Sequence, residues 1–166
     1  MCLKNAKDNC IMHMYTQNSY GIEVYGHTSK GNLNKLQVLQ NKALKILFNK
    51  DWYTPTHQLH SQLNLLNVND IFNVSLLKLV YTHKNNMLPN VFNNYFINRN
   101  DIHNSNTRNA YKIEIPRMKK SIGDKTLRVK GAKLYNALPN NICVVESIDN
   151  FTRKIITYFI QQYYNG

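Results

Sequence analysis

The chain has 166 residues and carries 21 Lys plus Arg against nine Asp plus Glu, a net charge of +12. That length fits one compact domain with a modest core, and the charge sets cationic partners aside in favour of an acidic polymer. A hydrophobic content of 43% excludes wholesale disorder, and apolar runs such as Leu76-Leu77 and Val144-Val145 fall far short of the roughly 18 residues that cross a bilayer.

Asn is over-represented, with 26 copies dispersed among Leu and Ile rather than gathered in tracts. Asn is a turn, cap and left-handed residue, so the excess reads as drift over a surface and carries no function by itself. The start, Met1 to Asp8, lacks the unbroken apolar stretch of a secretory signal, so the three Cys are expected reduced inside the cell, in cytoplasm or nucleus. No membrane partner is expected.

In chain order, Tyr20-Gly21-Ile22-Glu23-Val24-Tyr25-Gly26 places two glycines around a short extended or helix-ending turn. From Leu33 to about Lys50, Leu36, Leu39, Ala43, Ile46 and Leu47 recur at helical spacing, with Lys35, Lys42 and Lys45 on another face. Asn32 is the expected cap of that helix. Trp52-Tyr53-Thr54-Pro55 breaks the pattern, and Thr54 or Thr56 starts a short helix with Leu59 and Leu63.

Asp70 is the expected N-cap of a central, largely buried helix to about His83, with Ile71, Val74, Leu77 and Tyr81 on one stripe and Phe72, Leu76, Leu79 and Val80 beside it. Pro89 begins one or two further turns. Residues 98–131 lose the helical period, and it returns in Ala132 to Leu138, stopped by Pro139. Ser147 caps a last helix with Ile148, Phe151, Ile155, Phe159 and Tyr163 on one side. The predicted fold is mainly α, a small helical bundle with an irregular basic segment, and room for a short β-hairpin, between residues 98 and 131.

Charge is concentrated. Between Arg108 and Lys133 stand nine basic residues (Arg108, Lys112, Arg117, Lys119, Lys120, Lys125, Arg128, Lys130, Lys133) and two acidic ones, Glu114 and Asp124, a net +7 in 26 residues. Cations spaced along a partly extended stretch can follow a phosphate backbone, each contact contributing through counterion release. Tyr111 and Tyr135 are candidates for stacking on bases. Lys42 is a further, more distant candidate.

Other chemistries lack support. Cys2, Cys10 and His13 match no common zinc spacing, and His57 and His60 share a helix face without a nearby carboxylate or thiolate, as surface residues do. There is no nucleophile elbow and no phosphate-cradling Gly-rich loop, and no two of the six Asp are adjacent as a two-metal site would ask. No cofactor, metal or small-molecule substrate is expected.

Several segments, in order, resemble the C-terminal region of reverse transcriptases from non-LTR retrotransposons of the jockey-like group. Tyr20 to Gly26 is similar to Y-G-x-x-x-W-G, with Tyr25 at the usual Trp. Leu33-Asn34-Lys35-Leu36-Gln37-Val38-Leu39-Gln40-Asn41-Lys42-Ala43-Leu44-Lys45-Ile46-Leu47 resembles L-x-x-L-Q-x-x-Q-N-K-A-L-R-I-I, the most specific piece. His103 to Arg108 resembles H-x-Y-N-T-R, Gly131 to Pro139 resembles G-x-K-L-W-N-S-L-P, and Ser147 to Lys154 resembles S-x-x-x-F-K-x-K.

The resemblance covers about residues 20–160. It implies a helical thumb-like region over 20–97, a basic irregular segment over 98–131 and C-terminal helices over 132–166, in one compact domain after an N-terminal stretch, 1–19, without a counterpart. The polymerase's aromatic-Ala-Asp-Asp motif is absent from this sequence, so the expectation is a non-catalytic fragment that binds RNA, DNA or their hybrid through phosphates. The expected contacts are Lys42, Arg108, Arg117, Lys119, Lys120, Lys125, Arg128, Lys130 and Lys133. Two alternatives stay open here: a piece of an active RNA-directed DNA polymerase, and a helical interaction or decayed protein without a nucleic-acid role.

Overall fold

The computed structural model of the protein describes residues 9–13, 16, 19–26, 30–102, 112–117, 123 and 126–164. Among these the chain is mainly helical: α1 (Ile22–Tyr25), α2 (Lys30–Leu47), α3 (Thr56–Gln62), α4 (Val68–Lys84), a 3-10 turn (Asn90–Phe92), α5 (Arg99–Ile102), α6 (Leu127–Ala137), α7 (Asn140–Cys143) and α8 (Ile148–Tyr164). Its contacts divide into two compact units, one of the chain up to Phe72 with the chain from Ile156, the other Asn73–Ile155. The units therefore cut through α4 and α8.

In the first unit, Ile22, Leu33, Leu44, Leu59, Leu65, Leu66, Val68, Ile71, Phe72 and Phe159 are buried. The two glycines before α2 have separate causes. Gly21 holds φ +63°, and a Cβ on Gly26 would lie 2.1 Å from Cδ2 of the buried Phe72 ring. The face that α2 buries differs from the expected one. Leu33, Gln40 and Leu44 point inward, whereas Leu39 and Ile46 are 61% and 78% exposed, because the core takes a glutamine at the centre of its stripe. Asn32 lies inside α2, so it is not the cap.

α4 runs as expected through Ile71, Phe72, Val74, Leu76, Leu77, Val80 and Tyr81, all buried. Its cap is Asn67, not Asp70: the Asp70 amide donates to Asn67 Oδ1 at 2.8 Å, and Asp70 sits in the first turn. There its carboxylate suits the positive helix pole and accepts from the Tyr163 hydroxyl.

Asn residues also end helices. Asn49, Asn64 and Asn86 are the non-Gly positions with positive φ among the described residues, at 48°, 51° and 55°. Each is followed by an amide that reaches back across six residues: Lys50 to Lys45 O (2.9 Å), Leu65 to His60 O (2.9 Å) and Met87 to Thr82 O (2.9 Å). These are Schellman ends with Asn in the left-handed place usually given to Gly.

In the second unit, Tyr81 stacks on Phe151 with ring centroids 4.4 Å apart and donates to Val145 O at 2.7 Å. Val129, Ala132, Tyr135, Leu138, Ile142 and Ile155 complete the core with Phe96 and Ile113. Ser147 caps α8 as expected, accepting from the Asp149 amide at 3.3 Å. α6 begins earlier than expected, at Leu127, because Thr126 Oγ1 accepts from the Val129 amide and its first turn carries Arg128 and Lys130. Helix α5 likewise places a helical turn in the segment expected to be irregular. The hairpin allowed between 98 and 131 reduces to one antiparallel bridge, Asn98 with Ile113, and no strand occurs among the described residues.

The Gly26 contact gives a direct test. Gly26→Ala forces the Phe72 ring to move, and urea unfolding is expected to show a loss of about 1–3 kcal/mol, the usual range for overpacking a tight site.

Candidate nucleic-acid interface

The frame of the first unit is a set of amides. Gln37 Nε2 donates to Gln40 Oε1 (3.0 Å) and Asn41 Oδ1 (2.9 Å), while Gln37 Oε1 accepts from the Val68 amide at 2.7 Å. Gln40, 2% exposed, donates to Leu66 O at 3.1 Å. Buried backbone groups without a helical or strand partner cost free energy, and these side chains supply the partners.

His60, expected at the surface, is buried within this set. Its Nδ1 donates to Leu65 O at 3.2 Å, and Nε2 lies 2.9 Å from Asn41 Oδ1 and 3.4 Å from Gln37 Nε2. Burial holds the His60 pKa below the ordinary imidazole value, outweighing the Leu65 carbonyl and the Asp70 carboxylate, which both favour the charged ring. A cleft of about 310 Å³ opens beside this network, lined in part by Asn34, Asn41, His57, His60, Asn67 and Tyr163.

In the second unit, Asn136 plays the corresponding part. The Ile113 amide donates to Asn136 Oδ1 at 2.9 Å and Asn136 Nδ2 donates to Ile113 O at 2.8 Å. With Arg99 N to Lys112 O (2.9 Å) and Glu114 N to Ile97 O (2.8 Å), this pins residues 112–114 on both sides. Arg117 lies exposed three residues on. Glu114 is bridged to Arg99 at 3.1 Å, the one ion pair formed among the described residues.

The expected contacts then fall as follows. Lys42 is exposed on α2, its Nζ 5.6 Å from the centroid of the Trp52 ring. Arg117 and Lys133 are exposed, Lys130 is half-buried, and Arg128 is half-buried with its Nε enclosed and without an acceptor among the described residues. Arg108, Lys119, Lys120 and Lys125 lie outside the described residues, as does Tyr111. Arg128, Lys130 and Lys133 share α6, so the structure joins these three on one helix, while Arg117 lies three residues beyond the pinned segment.

Tyr135 does not stack on a ligand. It is buried, with Lys84 Nζ 4.9 Å from its ring centroid and Phe151 at 6.5 Å, and burial pushes its phenol well above the ordinary range. Burial likewise lowers the Lys84 ammonium and raises the Cys143 thiol. Missed by the sequence reading were Trp52 and Tyr53, exposed in the turn after α2. A lone Trp beside Lys50 was the available signal. No three His, Cys, Asp or Glu side chains gather as metal ligands among the described residues, and no helix there is long and apolar enough to cross a membrane.

Two curated proteins of Drosophila melanogaster are similar to parts of the chain. One, a "Probable RNA-directed DNA polymerase from transposon BS", is 39% identical over 51 residues, 31% of this chain and 6% of that protein. The other, an "RNA-directed DNA polymerase from mobile element jockey", is 31% identical over 71 residues, 43% of this chain and 8% of that protein. No family model and no solved structure matches. Over these stretches the chain is related to retrotransposon RNA-directed DNA polymerases, a reverse-transcriptase-like relationship, and it matches well under a tenth of their length.

Two measurements test the geometry. Because the folded state holds His60 below its unfolded value of about 6.5, the unfolded chain takes the proton first on acidification. Stability is therefore complete above about pH 6.5 and falls below it, and His60→Gln is expected to flatten the fall in Tm between about pH 7 and pH 5. Equal falls in both proteins would contradict this. Asn136→Leu orphans the buried Ile113 amide and carbonyl at about 1–3 kcal/mol each, and Asn136→Asp, unable to donate to the carbonyl, is expected to lose part of that in chemical unfolding.

Proposed function

We propose that the chain is a non-catalytic nucleic-acid-binding fragment similar to the thumb and downstream part of a non-LTR retrotransposon reverse transcriptase. The partial likeness to two such polymerases supports the relationship, and the helical architecture agrees with a thumb-like portion. The observation that carries the binding is the local surplus of cations. Nine basic residues between Arg108 and Lys133 meet two acids, and one of these, Glu114, is already engaged by Arg99. Cations at this density along the chain suit an anionic partner that runs along a line, and a phosphate backbone is one.

In this reading Arg108, Arg117, Lys119, Lys120, Lys125, Arg128, Lys130 and Lys133 contact phosphates, with Lys42 as a separate contact on α2. Phosphate contacts position a nucleic acid without selecting sequence, so RNA, DNA and hybrid are all ligands of the same charge logic. The purified chain is expected not to incorporate nucleotides on a primed template, since it carries no Ala-Asp-Asp after an aromatic.

A second reading is favoured by coverage: the matched stretches amount to 6% and 8% of the related polymerases, as for a piece of a longer enzyme. An open frame upstream of Met1 encoding an aromatic followed by Ala-Asp-Asp would favour it over the first.

Binding is tested by anisotropy of a labelled oligonucleotide across salt. With eight or nine phosphate contacts, affinity is expected to fall by about 10³- to 10⁵-fold between 50 and 200 mM salt. Reversing Arg117, Lys119 and Lys120 to Glu is expected to weaken binding and flatten the salt slope. Absence of binding at low salt would overturn the proposal, and unchanged affinity of the triple variant would remove that segment from it.

A further inference from the structure

The turn after α2 is an unusual place for aromatic side chains. The Thr54 amide closes it on Asp51 O at 3.0 Å, leaving Trp52 and Tyr53 at its two central positions, where small or polar residues are usual. They are 64% and 94% exposed. Lys45 anchors the turn, its Nζ donating to the Trp52 carbonyl and lying 5.5 Å from the ring centroid. Lys42, one helical turn earlier, reaches within 5.6 Å of the same ring and makes no hydrogen bond or ion pair among the described residues. With Lys50 the group carries three ammoniums against the single carboxylate of Asp51.

A clamp that merely fastened the loop would account for Lys45 and for the contact of its ammonium with the ring. It leaves Lys42 without an anion among the described residues and does not account for the exposure of the Tyr53 ring. A nucleotide offers both missing partners, since its base has a π-face and its phosphate sits on the adjoining sugar. Aromatic platforms flanked by cations bind single strands through this pairing.

We propose that Trp52 and Tyr53 form a stacking platform for the bases of single-stranded nucleic acid, with Lys42 on the adjoining phosphate and Lys45 holding the platform in place. The inference rests on the nucleic-acid reading above and names a contact separate from the basic segment. Its net positive charge and two exposed rings suit an anionic, aromatic ligand.

Trp52 is the single tryptophan of the chain, so its emission reports on this site alone. Oligo(dT) and oligo(rU) of equal length are titrated into the full chain, with anisotropy of a labelled strand followed in parallel. Quenching that tracks the anisotropy is expected, and inorganic polyphosphate, which lacks bases, is expected to bind without comparable quenching. Trp52→Ala is expected to weaken oligonucleotide binding by roughly fivefold to a hundredfold, the range given by loss of one stacked base, while Trp52→Phe retains most of the affinity. Both variants keep the backbone carbonyl that Lys45 holds, and circular dichroism checks their fold.

Salt-sensitive binding without quenching, and with unchanged affinity of Trp52→Ala, would overturn the platform and leave the basic segment standing. No binding at low salt would overturn both. Quenching by polyphosphate equal to that by oligonucleotide would also overturn the platform. Because Val38, Leu39 and Ile46 are exposed on the same helix, vesicles of phosphatidylserine are the remaining control. A blue shift with vesicles and no response to oligonucleotide would assign the aromatics to a lipid surface and overturn the proposal.

Discussion

Gln37 uses both ends of its amide, giving two hydrogen bonds to Gln40 and Asn41 and taking one from the Val68 backbone. The constraint behind this is the stretch from Leu65 to Val68. These residues are buried apart from Asn67, yet they belong to no helix until Val68, so their backbone groups need partners from elsewhere. Gln40 meets Leu66 O, His60 meets Leu65 O, and Gln37 meets the first amide of α4. Because α4 gives Val68 to Phe72 to the first unit, the point at which it starts fixes the register of the side chains it buries there. The polar residues of the most motif-like stretch, Gln37, Gln40 and Asn41, thus serve the frame.

The same device recurs with Asn. Asn136 pairs with both backbone groups of Ile113 as a neighbouring strand would, and so holds the start of the segment that leads to Arg117. Asn67 caps α4, and Asn49, Asn64 and Asn86 accept the left-handed conformation at three helix ends. An amide both donates and accepts, which lets it replace a missing backbone partner, and Asn tolerates positive φ better than other residues with a side chain. Part of the Asn excess therefore has a structural use, where composition alone reads as drift.

What the sequence disclosed follows from the kind of signal involved. α4 and α8 were legible because their apolar stripes are long and repeat at the helical period, from Ile71 to Tyr81 and from Phe151 to Phe159. The buried face of α2 was not, because period counting excludes polar residues from the core and so passes over Gln40, while Leu39 and Ile46 face outward. The start of α6 was hidden by its own cations: Arg128 and Lys130 flank Val129, and the charge obscured the spacing of Val129, Ala132 and Tyr135. The cap at Asn67 was missed since Asp70 is an equally good cap by residue type, and only the geometry separates them. The basic surplus could be counted along the chain. The Trp52 platform could not, because it depends on a turn that returns Trp52 to Lys42, ten residues earlier.

Side-chain amides stand in for backbone partners at two buried points, and hydrogen exchange of single backbone amides tests this most directly. The Val68 and Ile113 amides, which donate to Gln37 Oε1 and Asn136 Oδ1, are expected to be protected to the level of core amides in α4. Exchange of either at the rate of an exposed loop amide would contradict it.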